Sequence, residues 1–275
     1  MRVLVLGAGG QLGRELVQLG AIGLTRAECD IAQAGDAERA LRQHRPDAVI
    51  NCAAWTKVDA AETQRDEAFR ANTQGPLLLA QACNDAGVLL THISTDYVFD
   101  GTATAPIPET APTSPLGVYG ESKLEGEQAV RATAPRHQIV RTSWLYGQDG
   151  PNFVLTMLRL GAEREELRVV ADQRGAPTWT GHLAPALLRL LEHATPGTYH
   201  LTSGGETTWC DFARAIMTSA ALPARIEPTT TAEYAAPAPR PAYSVLENRA
   251  WQALGEPPLA QWEHGLAAYL ASRRA

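Results

Sequence analysis

Residues 2–13, with the sequence RVLVLGAGGQLG, decide the fold of this chain. The first five are mostly apolar and branched, which is typical of a buried parallel β-strand. Gly7, Gly10 and Gly13 then follow with the spacing G-x-x-G-x-x-G, and an amphipathic helical pattern comes directly after them. A strand, a glycine-rich turn and a helix in this order predict a βαβ unit at the start of the chain.

Each glycine has a separate role in such a unit. Gly7 would permit the tight turn, Gly10 would let a pyrophosphate approach the backbone, and Gly13 would let the helix pack on the strand. The free N–H groups and the dipole of the helix N-terminus would then receive the phosphates. A plain glycine turn is the alternative interpretation. The strand before the motif and the helix after it favour nucleotide binding.

Strands and helices alternate along the chain, most regularly up to residue 141. Short apolar runs predict strands at residues 22–24, 47–51, 88–93, 137–141 and 198–201, and helical patterns cover residues 34–44, 66–86, a segment starting near 119, 153–160, 183–191 and 266–270. This alternation predicts an α/β fold, a Rossmann-type doubly wound parallel sheet. Ligands of such sheets bind beyond the carboxyl ends of the strands.

The regular alternation weakens after residue 141, so we expect two domains. Residues 1–144 would form a dinucleotide-binding domain, completed by about residues 181–202, and 145–275 would be mainly a smaller, substrate-binding C-terminal lobe. The segment Pro223–Pro241 is rich in proline, alanine and threonine, and we expect an irregular surface excursion there. The substrate cleft would lie between the two domains.

Composition narrows the functional class. The 24 basic and 30 acidic side chains give a net charge of −6, which argues against binding to nucleic acid or to an acidic membrane. The chain has no long apolar run, and it begins with a strand pattern, so we expect no signal peptide. Its four cysteines form no C-x-x-C pair. We therefore expect a cytoplasmic protein with reduced, mostly buried cysteines. None of the seven histidines pairs at metal-ligand spacing, so no zinc site is expected.

A tyrosine and a lysine stand four residues apart in the run Tyr119-Gly-Glu-Ser-Lys123. On a helix they would project from the same face. A free phenol has a pKa of about 10, and a cation held within roughly 4–6 Å would lower it by about 1–3 pH units. Lys123 would thereby bring Tyr119 towards proton transfer near neutral pH. Such pairs also arise by chance on solvated helix faces, so the interpretation depends on the nucleotide-binding motif upstream.

Several runs of the sequence match one family. They are residues 7–13, NCAAWTKVD at 51–59, STDYVFDG at 94–101, YGESKLEGE at 119–127, RTSWLYG at 141–147, GAPT at 175–178 and RPxxSxL at 240–246. Together they resemble the extended short-chain dehydrogenase/reductases and, within these, the dTDP-4-dehydrorhamnose reductase family. The resemblance covers residues 2–246. The STDYVF and RTSW runs are the most specific part, because the glycine motif and the Y-x-x-x-K pair are shared across the superfamily.

The resemblance implies NADPH-dependent reduction of the 4-keto group of dTDP-4-dehydro-L-rhamnose, which gives dTDP-L-rhamnose. The implied catalytic residues are Thr95, Tyr119 and Lys123, with Tyr119 as the general acid. The implied cofactor-binding residues are Gly7, Gly10, Gln11, Leu12, Arg26, Asp30, Ile31, Ala53, Ala54, Thr56, Tyr119 and Lys123. The implied substrate-binding residues are Thr95, Asp96, Tyr97, Trp144, Asn152 and Arg240.

Simpler interpretations stay open for several of these residues. The Thr95 hydroxyl at a strand end could cap the following turn, and Asp96 could be an ordinary turn residue. Trp144 could pack in a core instead of forming a wall of the sugar pocket. A pyrophosphate suits the fork of a guanidinium group, but Arg240 could equally be a surface arginine.

The segment after the second strand bears on the cofactor. NAD-selective sites place an acidic residue there to bind the ribose 2′-hydroxyl. This chain has Thr25 and Arg26 after Leu24, and an acid only at Asp30, next to Ile31. The guanidinium of Arg26 suits a 2′-phosphate, and no acid directly after the strand would repel one. The segment therefore favours NADPH, with NADH still possible. Arg26 could also be a solvated loop charge.

The use of a metal, the oligomeric state and the exact activity each have more than one interpretation. Some members of the family are magnesium-linked dimers held through glutamates; Glu15 matches one of these, but residues 267–272 offer no acid. We therefore expect no metal, and either a monomer or a homodimer. Reduction of another nucleotide-linked 4-ketosugar would use the same catalytic residues. A non-catalytic regulatory subunit of the same fold is a third possibility, which the intact Thr95, Tyr119 and Lys123 disfavour.

Overall fold

The structure is a computed structural model, and it describes residues 1–273. The strands are β1 (Val3–Leu6), β2 (Ile22–Leu24), β3 (Ala48–Asn51), β4 (Leu89–Thr95), β5 (His137–Thr142), β6 (Leu145–Tyr146), β7 (Glu166–Val170), β8 (Arg174–Gly175), β9 (Thr178–Trp179), β10 (Gly197–His200), β11 (Thr207–Thr208) and β12 (Arg225–Thr229). The helices are α1 (Gln11–Gln18), α2 (Asp36–His44), α3 (Val58–Ala61), α4 (Arg65–Phe69), α5 (Gly75–Ala86), α6 (Val118–Thr133), α7 (Phe153–Glu163), α8 (Thr180–His193), α9 (Trp209–Ala220), α10 (Thr231–Tyr234), α11 (Arg249–Ala253) and α12 (Trp262–Ser272).

A parallel six-stranded sheet forms the centre of the molecule, with the strand order β10-β5-β4-β3-β1-β2. Every residue of β1 and β3 is buried, as expected for strands that are covered on both faces. The direction in which strands are added reverses between β1 and β3, and the carboxyl ends of these two strands therefore border a crevice. The prediction of an α/β, Rossmann-type doubly wound sheet is confirmed.

Neighbouring residues of each central strand serve two separate hydrophobic layers. Val5 packs in a layer with Leu16 of α1 and Leu187 of α8. Leu4 points the other way and joins a layer that contains Leu79 of α5 and residues of α2 and α6. Helices on both faces leave only the ends of the strands accessible, so a ligand must approach the sheet from an end.

A third apolar cluster lies among the C-terminal elements and joins α7, α9 and α12 with β7 and β12. Our expectation of an irregular excursion over Pro223–Pro241 was wrong for its first part. Arg225–Thr229 is strand β12, which pairs in parallel with β7, a strand the sequence analysis also missed. Pro228 is tolerated because β12 is an edge strand of a two-stranded sheet, where a missing N–H breaks no ladder on its open side.

The long helix expected over Asp66–Ala86 is interrupted. A π-helical turn, Arg70–Gln74, separates α4 from α5. Within it Asn72 is fully buried; its Nδ2 donates to the backbone oxygen of Trp55 and to Oγ of Ser122, at 3.1 and 3.0 Å. Such turns insert one extra residue into a helix. Here the insertion directs Asn72 towards α6.

The domain division, the cysteines and the apolar character of the helices can also be compared with the predictions. Helix α8 and strand β10, inside the range expected to complete the first domain, pack on the central sheet, while the division at residues 144/145 stays a prediction. All four cysteines are free, and Cys29, Cys83 and Cys210 are buried, as predicted. Across residues 1–273 no helix has the length and apolar character needed to cross a membrane.

The packing of α6 against the π turn allows a test of the fold. A Cβ atom on Gly126 would lie 2.0 Å from the backbone oxygen of Asn72, far inside an ordinary contact. Alanine in a helix is normally favoured over glycine by about 1 kcal/mol. Overpacking costs about 1–3 kcal/mol, so we expect Gly126→Ala to lower the free energy of unfolding in urea. Gln128→Ala, at an exposed position of the same helix, is the control and should change stability by less than about 0.5 kcal/mol. An unchanged or increased stability of Gly126→Ala would show that this contact relaxes freely.

Candidate active site

The glycine loop between β1 and α1 is built for a close backbone approach. Gly7 has φ +82°, and a Cβ atom there would meet the backbone nitrogen of Ala53 at 2.5 Å. A Cβ atom on Gly13 would meet the carbonyl oxygen of Gly7 at 2.4 Å. Helix α1 begins after Gly10 with no side chain capping its first N–H groups. The loop therefore fits a nucleotide pyrophosphate at an uncapped helix N-terminus.

A cleft of about 750 Å³ opens beyond the carboxyl ends of β1, β3 and β4. All twelve predicted cofactor-binding residues line it: Gly7, Gly10, Gln11, Leu12, Arg26, Asp30, Ile31, Ala53, Ala54, Thr56, Tyr119 and Lys123. Of the predicted substrate-binding residues it is also lined by Thr95, Asp96, Tyr97 and Trp144, whereas Asn152 and Arg240 do not belong to its lining. Six separate stretches of the sequence thus converge on one cavity of the size that holds a dinucleotide-class ligand.

The three predicted catalytic residues come from the end of β4 and the first turns of α6. Thr95 ends β4, and its Oγ1 accepts a hydrogen bond from the backbone N–H of Tyr97 at 3.2 Å. The same hydroxyl donates to Oδ1 of Asp96 at 3.0 Å. Thr95 therefore caps the 3₁₀ turn Asp96–Val98, as one of our alternatives proposed, and it lines the cleft as well. Tyr119 lies on the first turn of α6, edge-on to Tyr97 with ring centroids 5.4 Å apart.

The electrostatics of Tyr119 differ from our expectation. Burial raises the pKa of its phenol to about 12, and hydrogen bonding with Thr95 opposes this only in part. Lys123 is not among the groups that lower the pKa of Tyr119, and its Nζ donates to the backbone oxygen of Ile93 at 2.7 Å. The prediction that an i, i+4 lysine tunes the phenol was therefore wrong for this state of the protein. At neutral pH Tyr119 holds its proton.

The environment of Lys123 favours the neutral form of its amine. Its side chain is 2% exposed. This burial lowers the pKa of Lys123 to about 8, although Glu127 and Cys52 act in the opposite direction. Its second close neighbour is Nε2 of His92, 3.4 Å from Nζ. His92 was not predicted as a neighbour of Lys123, since no local spacing relates the two residues.

A buried ion pair holds α6 against the sheet. Glu127, one turn beyond Lys123, accepts from Nε and Nη2 of Arg141 on β5 at 2.8 and 2.7 Å. It also accepts from Oγ of Ser94 on β4 at 2.6 Å. Both charged side chains are almost completely buried. The bidentate geometry fixes the height and rotation of the helix relative to β5, and the bond from Ser94 joins it to β4, the strand that ends at Thr95.

Two polar atoms at the cleft have no hydrogen-bond partner within residues 1–273. They are Oδ2 of Asp96 and Oγ1 of Thr142, both buried. Burial raises the pKa of Asp96 to about 6, although the hydroxyls of the neighbouring Ser244 and Thr95 favour its carboxylate form. Buried polar atoms without partners are rare in folded proteins, and at a cleft they indicate groups that a ligand completes.

Two stacked indoles line the same cavity. Trp144 has φ +45°, which is unusual for a bulky residue, and its ring lies parallel to that of Trp209, with centroids 3.5 Å apart and planes within 5°. Trp209 begins α9, and the ring of Phe153 also packs against it, with centroids 4.5 Å apart. Trp144 therefore packs in an aromatic cluster, as one of our alternatives proposed, and it also lines the cleft; its part in a sugar pocket stays a prediction. Trp209 was missed, because a tryptophan at a helix start carries no recognisable motif.

Asn152 and Arg240 have partners of their own. Oδ1 of Asn152 accepts from the backbone N–H of Leu155 and caps α7, while its Nδ2 donates to the oxygen of Gly147 at 2.9 Å. Arg240 makes an ion pair with Asp59 at 3.0 Å. Their assignment to the substrate stays a prediction, and it requires both side chains to exchange partners.

Asp30 lies between two arginines at the far end of the cleft. Its Oδ2 accepts from Nη2 of Arg70 at 2.9 Å and lies 3.5 Å from Nε of Arg26. Burial disfavours the carboxylate, but the bond from Arg70 and further hydrogen bonding outweigh it and hold the pKa of Asp30 below its ordinary value. All three side chains line the cleft. Arg70 was missed because it stands on the π turn, forty residues from Asp30.

Glu15, the residue that matched a metal-linked glutamate, accepts a hydrogen bond from Oγ1 of Thr180 at 3.3 Å. Within residues 1–273 no group of three or more histidine, cysteine, aspartate or glutamate side chains is arranged to hold a metal ion. The absence of a metal stays a prediction.

Comparison with known proteins places this geometry in a family. The family described as "RmlD substrate binding domain" matches residues 1–275. A dTDP-4-dehydrorhamnose reductase of Streptomyces griseus is 46% identical over 278 residues, covering 96% of this chain and 91% of the relative. A dTDP-4-keto-6-deoxy-D-glucose reductase of Streptomyces niveus is 43% identical, covering 96% of this chain and 95% of the relative.

Solved structures agree with the sequence relatives. The crystal structure of a dTDP-4-dehydrorhamnose reductase from Bacillus anthracis, determined in complex with NADP, superimposes with a TM-score of 0.96 at 38% identity, covering 98% of this chain and 99% of the other. The match therefore extends over both the sheet and the C-terminal elements that border the cleft. On this evidence the chain belongs to the dTDP-4-dehydrorhamnose reductase family within the extended short-chain dehydrogenase/reductases.

Proposed function

We propose that this chain catalyses the NADPH-dependent reduction of the 4-keto group of dTDP-4-dehydro-L-rhamnose, giving dTDP-L-rhamnose. The observation that carries the proposal is the convergence of Thr95, Tyr119 and Lys123 on a cleft that begins at an uncapped glycine loop. The relatives named as dTDP-4-dehydrorhamnose reductases support the substrate, and the NADP complex from Bacillus anthracis supports the cofactor.

The chemistry follows from the charge that develops on the ketone. When bound, a reduced nicotinamide supplies a hydride to the carbonyl carbon, and negative charge then builds on the carbonyl oxygen. Donors placed at that oxygen lower the barrier. Tyr119 would donate its proton, and the hydroxyl of Thr95 would hydrogen-bond the same oxygen. A phenol pKa of about 12 keeps Tyr119 protonated before the step, as a general acid in the reductive direction requires.

The remaining cleft residues have roles in binding. Lys123 would bind the ribose next to the nicotinamide, and the unpaired Oδ2 of Asp96 would accept from a sugar hydroxyl. Tyr97 and Trp144 would form walls of the sugar pocket. Arg240 would leave Asp59 to bind the pyrophosphate, a change the guanidinium can make because a phosphate offers the same paired acceptors as a carboxylate.

We further propose that the chain acts in the cytoplasm as a monomer or homodimer, with no nucleic-acid, membrane or metal partner. Residues 1–144 would bind the dinucleotide, and 145–275 would mainly bind the sugar nucleotide.

A second ketosugar is a specific alternative, because the Streptomyces niveus relative is named for dTDP-4-keto-6-deoxy-D-glucose. Both substrates should be prepared enzymatically and supplied to the purified protein while NADPH absorbance is followed. We expect kcat/KM to be at least about tenfold higher with dTDP-4-dehydro-L-rhamnose. A preference for the other sugar would favour the alternative. Absence of turnover with either sugar would favour a non-catalytic subunit.

Substitution of Tyr119 by phenylalanine tests the general acid. The ring and its packing remain, but the proton donor is lost, so we expect kcat to fall by about 10²–10⁴-fold with an unchanged thermal transition. Tyr234→Phe removes the hydroxyl of an exposed tyrosine and is the matched control. Retention of more than about a tenth of the wild-type kcat, with chemistry shown to be rate-limiting, would exclude Tyr119 as the acid.

Substitution of Lys123 by methionine separates binding from proton transfer. Methionine keeps the length of the stem but lacks the hydrogen-bond donors for the ribose, so NADPH should bind more weakly, by about tenfold or more. Tyr119→Phe should leave NADPH affinity almost unchanged. Fluorescence titration of the two variants with NADPH checks this. Equal affinity in wild type and Lys123→Met would contradict the ribose contact.

The two arginines beside Asp30 test cofactor selectivity. A 2′-phosphate near Arg26 and Arg70 would gain charge-assisted hydrogen bonds worth about 1.5–3 kcal/mol each. We therefore expect Arg26→Ala and Arg70→Ala each to reduce the ratio of kcat/KM for NADPH to that for NADH by about tenfold or more. Arg159→Ala, which removes an exposed ion pair on α7, should leave the ratio unchanged. Equal use of NADPH and NADH by the wild type would remove the argument for selectivity.

A further inference from the structure

Two buried polar side chains beneath Lys123 have no part in the mechanism proposed above. Asn51 ends β3, and His92 is its register neighbour on β4, so both side chains face α6 on the same side of the sheet. Both are 0% exposed. A buried histidine next to a functional lysine has to be accounted for, because its ring can donate or accept but not both at one nitrogen.

The amide of Asn51 fixes the state of the imidazole. Its Oδ1 accepts from the backbone N–H of Ala53 at 3.1 Å, so its Nδ2 is the atom that faces the histidine. Nδ2 of Asn51 lies 3.0 Å from Nδ1 of His92. Since an amide nitrogen only donates, Nδ1 must accept. A neutral imidazole that accepts at Nδ1 carries its proton on Nε2.

That proton points at Lys123. Nε2 of His92 is 3.4 Å from Nζ of Lys123, and Nζ also donates to the backbone oxygen of Ile93 at 2.7 Å. An ammonium has three donors and no acceptor, so it cannot be satisfied by an N–H group. An amine can accept from His92 and still donate to Ile93. Burial, and then the charge of Lys123, keep the pKa of His92 well below its ordinary value, so the ring stays neutral and can accept the bond from Asn51 at Nδ1.

The other groups around Lys123 do not reverse this effect. Glu127, on the next turn of α6, favours the ammonium, but its carboxylate is already engaged by Arg141. Cys52, at the end of β3, has its pKa raised to about 12 by burial and is a neutral thiol. Tyr119, on the preceding turn, is protonated as well. Burial therefore dominates and lowers the pKa of Lys123 to about 8.

We propose that His92 is a positioning residue, which Asn51 holds in the Nε2–H tautomer and which orients Lys123 and disfavours its ammonium form in the free enzyme. Because the ribose contact of Lys123 belongs to the proposed function, the kinetic part of this inference rests on it, whereas the tautomer does not. In the wild type, kcat/KM for NADPH should fall as the pH rises through the pKa of Lys123. Removal of the N–H at residue 92 should shift that fall to higher pH.

The first experiment observes the ring directly. Protein labelled with ¹⁵N-histidine is examined by long-range ¹H–¹⁵N correlation between pH 6 and 9, and the His92 signals are identified by their loss in His92→Asn. We expect a neutral ring with its proton on Nε2 throughout this range. A proton on Nδ1, or an imidazolium, would overturn the proposal whether or not the protein reduces any ketosugar.

The second experiment measures the effect on Lys123. Asparagine at position 92 can still accept from Asn51, but it is too short to reach Nζ. We expect His92→Asn to move the high-pH fall of kcat/KM for NADPH, and of NADPH affinity measured by fluorescence, upwards by about one pH unit. His137→Asn, at a half-buried histidine outside the cleft lining, should leave the profile unchanged. A uniform loss of activity at all pH values, with the fall unshifted, would mean that His92 only supports packing.

Discussion

The buried ion pair between Glu127 and Arg141 is the interaction on which the arrangement of the cleft depends. Tyr119, Lys123 and Glu127 occupy successive turns on one face of α6, so the position of Glu127 determines where the other two side chains lie. Desolvating two charges is costly, and loss of one partner from such a pair typically costs about 3–5 kcal/mol. The two hydrogen bonds from Arg141 and the third from Ser94 offset that cost. Because all three depend on the position of Glu127, they also hold α6 in one position on the sheet.

Burial acts on the ionisable groups of the cleft in one direction, towards neutrality. It raises the pKa of Tyr119 and Asp96 and lowers that of Lys123. Charge is concentrated instead at one end of the cleft, where Arg26 and Arg70 flank Asp30. The interior is therefore suited to a developing charge on a substrate oxygen, while the rim is suited to the permanent charges of a dinucleotide.

Local patterns predicted what local geometry controls. The glycine spacing predicted the loop at Gly7, and the apolar runs predicted the central strands. The four-residue interval between Tyr119 and Lys123 predicted that both lie on one face of a helix, and both line the cleft. Contacts set by tertiary structure were not accessible in this way. The registry of β3 and β4, not any spacing, brings His92 to Lys123, and burial, not the lysine, controls the pKa of the phenol. Strand β12 was missed because its proline hides the pattern of an edge strand.

The π turn at Arg70–Gln74 makes hydrogen bonds at both ends of the cleft, so the positions of the two ends depend on each other. Arg70 donates a hydrogen bond to Asp30 at one end of the cleft, while Asn72, two residues later, is hydrogen-bonded to the loop after β3 and to the helix that carries Tyr119. Deleting one residue would restore an ordinary α-helix and rotate α4 relative to α5 by about 100°. Arg70 could then no longer reach Asp30 while Asn72 keeps its hydrogen bonds to the loop after β3 and to α6. The segment is consequently constrained in its number of residues more than in their identity, and insertions or deletions there would uncouple cofactor recognition from the placement of the catalytic helix.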